Sequence, residues 1–173
     1  MKFSEDPPRP RIKLPLNSHD RVIEFIGIAF LLFLFVLPLR YYSDIPGMIP
    51  THFNAAGSPD GFGSKTSLWF LPLTGLVLWL IMTIVNRFPD KFNFPVKITP
   101  ENAEVQYRIG TRVIRILKSV ILMMFSFISY RTIQTAMGNE AGLGKVFLPV
   151  FLLLTFGIII IYLVQANKNR NQS

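Results

Sequence analysis

Three stretches of this chain, about residues 22–39, 67–85 and 146–164, each run apolar for roughly the length of a membrane-crossing helix, with one charge, Glu24, among them. About 20 apolar helical residues span the ~30 Å hydrocarbon core of a bilayer, where every backbone polar group must be satisfied internally. Pro38, Pro72 and Pro149 lie near the ends of these runs, where a missing N–H is best tolerated. A mean hydropathy of +0.40, with 50% hydrophobic and 16% charged residues, lies outside the usual soluble range. The bilayer is the solvent these figures predict. The first run follows a basic leader, but that leader continues to Arg21, and Leu37 to Tyr42 holds no small-residue cleavage site. It therefore reads as a retained helix.

A fourth span is weaker, since only Ser119 to Tyr130 is uncharged. Snorkelling of Arg112, Arg115 and Lys118 toward one interface, and of Arg131 toward the other, extends it to about 113–133. The fold class expected is an all-α integral membrane protein. It is a four-transmembrane-helix bundle over residues 21–167, with a flexible basic arm at 1–20 and a tail at 168–173. Fourteen of the 18 Lys and Arg residues fall on one side: Lys2, Arg9, Arg11, Lys13, Arg21; Arg87, Lys91, Lys97, Arg108, Arg112, Arg115, Lys118; Lys168 and Arg170. Only Arg40, Lys65, Arg131 and Lys145 fall on the other. The positive-inside rule then places both termini in the cytoplasm, with the loop at 40–66 and the turn at 138–144 facing outward.

The net charge of +8 does not point to nucleic acid, because the basic residues cluster between apolar runs instead of forming a stripe with stacking aromatics. Zero cysteines exclude disulfides, thiolate metal sites and cysteine nucleophiles. Thr99-Pro100-Glu101 reads as a helix start, with Thr99 as the cap and Pro100 at the first helical position. Beyond it, Glu101, Glu104, Arg108, Arg112 and Arg115 fall on one helical face opposite Val105, Ile109, Val113 and Ile116. That amphipathic start suits anchoring beside anionic headgroups.

The most unusual stretch is the loop Ile49-Pro50-Thr51-His52-Phe53-Asn54-Ala55-Ala56-Gly57-Ser58-Pro59-Asp60-Gly61-Phe62-Gly63-Ser64-Lys65. Its turn chemistry from Gly57 to Gly61 predicts a short hairpin, with 51–54 against 61–65 and Asp60 forming an Asx-type turn. The string closely resembles the signature of an uncharacterised bacterial multi-pass membrane family whose module also forms the N-terminal part of SdpI-like toxin-immunity proteins. Residues 91–102 are similar to a second element of that family, so the resemblance spans roughly 22–133. It implies residence in a bacterial cytoplasmic (inner) membrane, an outward loop and, more distantly, an immunity-like role. SdpI-like proteins continue into a further membrane portion, which this sequence is expected to lack.

The candidate binding or loop-structuring residues are His52, Phe53, Asn54, Gly57, Asp60, Gly61, Gly63 and Lys65. His52 and Asn54 either pin the loop through backbone hydrogen bonds or contact a ligand. No metal site, catalytic group or cofactor is expected, since the only other histidine, His19, lies on the opposite side. Gly61 to Thr66 lacks the glycine directly before lysine that a phosphate loop needs. Glu24, inside an apolar helix, costs about 2.5–3.5 kcal/mol to insert unless paired, which predicts an ion pair with Arg115 or Lys118. The function expected is a non-enzymatic binding or immunity-like module whose first outward loop contacts a membrane-active peptide or another membrane protein. The alternative is a transporter or channel subunit.

Overall fold

A computed structural model describes residues 9–170 of the chain. Helix α1 spans Ser18–Tyr41 and is followed by an antiparallel hairpin, β1 (Met48–Phe53) and β2 (Pro59–Ser64). A 3-10 turn, Lys65–Trp69, leads into α2 (Phe70–Val85), and a second, Pro89–Lys91, opens the long connection to α3 (Ala103–Ala136) and then α4 (Phe147–Lys168). Four helical segments are long and apolar enough to cross a membrane: α1, Lys65–Val85, α3 and α4. Each expected span overlaps one of them, the last starting one residue before α4.

Helix α3 is the organising element, packing against α1, α2, α4 and β1. Its 34 residues make about 51 Å of helix, well beyond a bilayer core, so one end must project. Small residues let the helices approach. A Cβ on Gly27 would sit 2.9 Å from Ser119 Oγ, and one on Gly75 would sit 2.9 Å from a Leu34 methyl. Ser119 Oγ donates to the Ile23 carbonyl at 3.0 Å, and Ser126 Oγ to the Phe30 carbonyl at 3.1 Å, stitching α3 to α1. Helix α4 contributes none of its most apolar window to the interior, and its outer face is aliphatic. Lipid is the environment that suits such a face.

Two expectations are corrected here. First, α1 starts at Ser18, four residues earlier than expected, because Asn17 and Asp20 form a reciprocal capping box: Asn17 Oδ1 accepts from the Asp20 N–H at 2.9 Å, and Asp20 Oδ2 from the Asn17 N–H at 3.3 Å.

Second, residues 1–8 of the arm lie outside the described residues, but residues 9–17 are extended and packed. Arg9 donates to the Phe92 carbonyl and stacks 5.8 Å from the Phe94 ring, while Ile12 and Leu14 pack on the cluster of Phe94, Ala103 and Tyr107. In an extended chain residues i and i+2 share a face, so a stretch without helical periodicity still presents an apolar edge.

The regular helix α3 begins at Ala103, and Thr99 caps the turn that precedes it, its Oγ1 accepting from the Asn102 N–H at 3.4 Å. The Thr99 N–H donates to Asn102 Oδ1 at 2.9 Å, and the Ala103 N–H to the Thr99 carbonyl at 3.0 Å. The Thr99 side chain also bonds Glu101, holding that carboxyl below its ordinary range. From this corner Asn102 Nδ2 reaches the Arg170 carbonyl at 2.7 Å and Gln106 Nε2 the Ala166 carbonyl at 2.9 Å, fastening the end of α4.

Candidate functional site

The hairpin forms because Asn54 builds its turn. Asn54 Oδ1 accepts from the Ala56 N–H at 3.0 Å and the Ser58 N–H at 3.1 Å, and the Asn54 carbonyl accepts from Gly57 at 2.8 Å. Gly57 takes φ +76°, a region that suits glycine. The strands pair Met48 with Ser64, Ile49 with Gly63, Pro50 with Phe62, His52 with Gly61 and Phe53 with Pro59, interrupted by two register shifts. The pairing is thus longer than expected toward Met48 and stops before Asn54 and Lys65, which belong to the turn and the 3-10 segment. Asp60 does not make the Asx turn: its carboxylate meets His52 Nδ1, and both side chains are largely exposed. The His52 side chain accordingly pairs with Asp60, leaving the turn to Asn54.

Two contacts lock the hairpin onto the bundle. Lys65 Nζ donates to the Tyr42 carbonyl at 3.1 Å and lies 4.7 Å from the Tyr42 ring, so the cation caps the end of α1. At the tip, the Leu143 N–H donates to the Gly57 carbonyl at 2.7 Å. The backbones approach so closely that a Cβ on Gly57 would lie 2.5 Å from the Gly144 oxygen. The α3–α4 turn is itself held by Arg131, which donates to the Gly142 carbonyl at 2.7 Å and pairs with Glu140, so Arg131 does not snorkel away from the bundle.

Beneath β1 this clamp leaves a groove of about 550 Å³, walled by β1, the start of α2 and the last turns of α3. Ile49, Leu68, Leu71 and Ile128 make it apolar, and Thr51, Ser67, Ser129 and Thr132 place hydroxyls along it. Ser129 is fully buried, yet its Oγ has no hydrogen-bond partner. A buried hydroxyl left unpaired costs about 1–3 kcal/mol. His52, Phe53 and Gly63 line the groove, whereas Asn54, Gly57, Asp60, Gly61 and Lys65 shape or hold its roof. Ser129 was missed because a serine within an apolar helix carries no sequence signal of whether it has a partner.

The expected ion pair sits at the other end of the bundle. Lys118 Nζ, almost wholly buried, is 2.8 and 3.1 Å from the Glu24 oxygens, donates to Thr83 Oγ1 at 2.9 Å and lies 5.3 Å from the Trp79 ring. Arg115 Nε is 3.5 Å from Glu24, and its Nη1 is 3.8 Å from Asp20. Arg112 Nε is 3.1 Å from the same Asp20. The three cations of α3 therefore turn inward onto two acids of α1 instead of snorkelling. Sequence reasoning overlooked Asp20, although Asn17-x-x-Asp20 just before an apolar run is a legible signal. No cluster of three or more metal-ligating side chains occurs among the described residues.

Residues 29–76, from within α1 through the hairpin to the first turns of α2, match a family described as a domain of unknown function, DUF1648. An uncharacterised protein from Archaeoglobus fulgidus is 26% identical over 166 residues, covering 88% of this chain and 85% of that one. No solved structure matches the chain. The family match includes the whole hairpin and stops before residues 91–102.

Proposed function

We propose that this multi-pass membrane protein is a non-enzymatic binding module that holds an amphipathic, membrane-active peptide in the groove beneath β1. The observation that carries the reading is the buried, unpartnered Ser129 Oγ in an apolar groove roofed by a clamped hairpin. An amphipathic peptide supplies apolar side chains for Ile49, Leu68 and Ile128 together with a backbone donor or acceptor for the hydroxyls. The rim pair His52 and Asp60 adds a charged contact beside it. The resemblance of Ile49–Lys65 to the module of SdpI-like proteins supports an immunity-like use of such binding. The four-to-fourteen division of basic residues supports placing the hairpin outside the cell, where such a peptide arrives. A transporter or channel is less well supported, because Ser119 and Ser126, which would line a polar path, donate to α1 carbonyls.

Proteoliposomes containing the chain should bind a labelled amphipathic peptide better than empty vesicles. Ser67→Phe, which fills the groove mouth, and the double variant His52→Ala/Asp60→Ala should both weaken that binding. The pair is exposed and contributes at most about 1 kcal/mol to folding, so the double variant should still insert normally. Equal binding by wild type and Ser67→Phe overturns the reading.

A further inference from the structure

At the end of the bundle opposite the hairpin, residues 12–16, the turn after α2 and the adjoining side of α3 enclose a second groove of about 730 Å³. Its lining includes three cations, Lys13, Arg87 and Arg115, and no carboxylate. Lys13 and Arg87 are exposed and make no ion pair among the described residues. Arg115 is different in kind. Its side chain is only 9% exposed, and its two carboxylate contacts, to Glu24 at 3.5 Å and Asp20 at 3.8 Å, are too long or too oblique to be hydrogen bonds. Those acids are shared with Arg112 and Lys118, so two carboxylates face three cations behind the groove and two further cations stand in front. Asp90 lies just beyond in an adjoining cleft, occupied by Arg11 at 3.8 Å and Lys91 at 3.9 Å. Among the described residues the groove thus has a surplus of positive charge that its own lining does not neutralise, although Lys13 and Arg87 also border the cleft of Asp90.

A second observation narrows the ligand. Asn86 also lines the groove, with its Nδ2 donating to the Thr111 carbonyl at 3.1 Å, which assigns the other atom as oxygen. That Oδ1 is buried without a partner. It accepts only, so it calls for a donor such as a hydroxyl beside the anion. The remaining lining is apolar, including Ile12, Leu14 and Leu16, and Ile84, Val85 and Phe88 lie exposed at the adjacent end of α2. A free phosphate has no use for such walls, whereas a lipid does.

We infer that this groove binds the headgroup of one anionic glycerophospholipid bearing headgroup hydroxyls. Its phosphate lies among Lys13, Arg87 and Arg115, a hydroxyl donates to Asn86 Oδ1, and its chains leave along the exposed end of α2. The site is separate from the hairpin groove and does not depend on the peptide reading.

The test uses the full chain purified in a neutral detergent, with lipid retention measured by native mass spectrometry. The wild type should retain one phosphatidylglycerol in preference to phosphatidylcholine, and should prefer it to phosphatidic acid, which lacks headgroup hydroxyls. Lys13→Gln/Arg87→Gln, both on exposed side chains, should lower phosphatidylglycerol retention about 30-fold, the loss of two basic contacts to an anionic lipid. Lys145→Gln/Lys168→Gln, with the same change in net charge, should retain it. The inference is overturned if both double variants lose retention equally, if phosphatidylcholine is retained as well as phosphatidylglycerol, or if millimolar inorganic phosphate displaces the lipid completely, which would make the site one for a free anion.

Discussion

Removing Glu24 should cost more than removing Glu24 and Lys118 together. In Glu24→Met, Lys118 stays almost wholly buried with only the Thr83 hydroxyl at 2.9 Å and the Trp79 ring at 5.3 Å as company. An ammonium stranded in this way costs about 3–5 kcal/mol, because the desolvation already incurred is no longer offset. In Lys118→Met, Glu24 keeps Arg115 at 3.5 Å and some access to solvent, so the loss is nearer that of a charged hydrogen bond, about 1.5–3 kcal/mol. In the double variant two thioether chains replace the pair at similar length, and the total should not exceed that of Glu24→Met alone. The coupling is then at least the whole cost of Lys118→Met, about 1.5–3 kcal/mol. Reversible unfolding in mixed micelles measures it, and Trp79, in contact with Lys118, provides a fluorescence signal from the site. Strictly additive losses would refute the pairing and return Lys118 to an interfacial role.

The hairpin clamp predicts that Gly57→Ala destabilises by about 1–3 kcal/mol through its left-handed φ and its clash with Gly144, seen as faster proteolysis between β1 and β2. Gly47→Ala, where a Cβ would meet nothing within 4 Å, is the control, and equal sensitivity of the two would count against the clamp. Asp20→Ala should lower the thermal midpoint more than Asn17→Ala, because losing the cap costs about 1 kcal/mol whereas losing Asp20 also strips Arg112 and Arg115 of an acid. Equal shifts would reduce Asp20 to a helix cap. Topology reporters fused after Gly63 and Gly142 should report the opposite side from one after Asp90, and the same side for Asp90 and Gly142 would remove α3 as a span.

The apolar runs alone determined α1, α2 and α4, because a backbone surrounded by hydrocarbon has few other ways to satisfy its polar groups, whereas the span in α3 needed its charged flanks to be counted as well. Turn residues between Asn54 and Gly61 likewise determined that a hairpin forms, since their backbone preferences are local. Glu24 announced a cation at its own depth, because a lone acid in such a helix is costly. Hydrophobicity, however, has no direction. It could not tell that the basic face of α3 turns inward, which was decided when Asp20 and Glu24 came to lie opposite Arg112, Arg115 and Lys118. Nor could local preference bring Gly57 against a turn some 85 residues away, a contact that exists only because α1 and α3 end at the same level. Both grooves arise in the same way: Ser129 and Asn86 Oδ1 are ordinary polar groups in the sequence, and only the packing around them leaves each buried and without a partner.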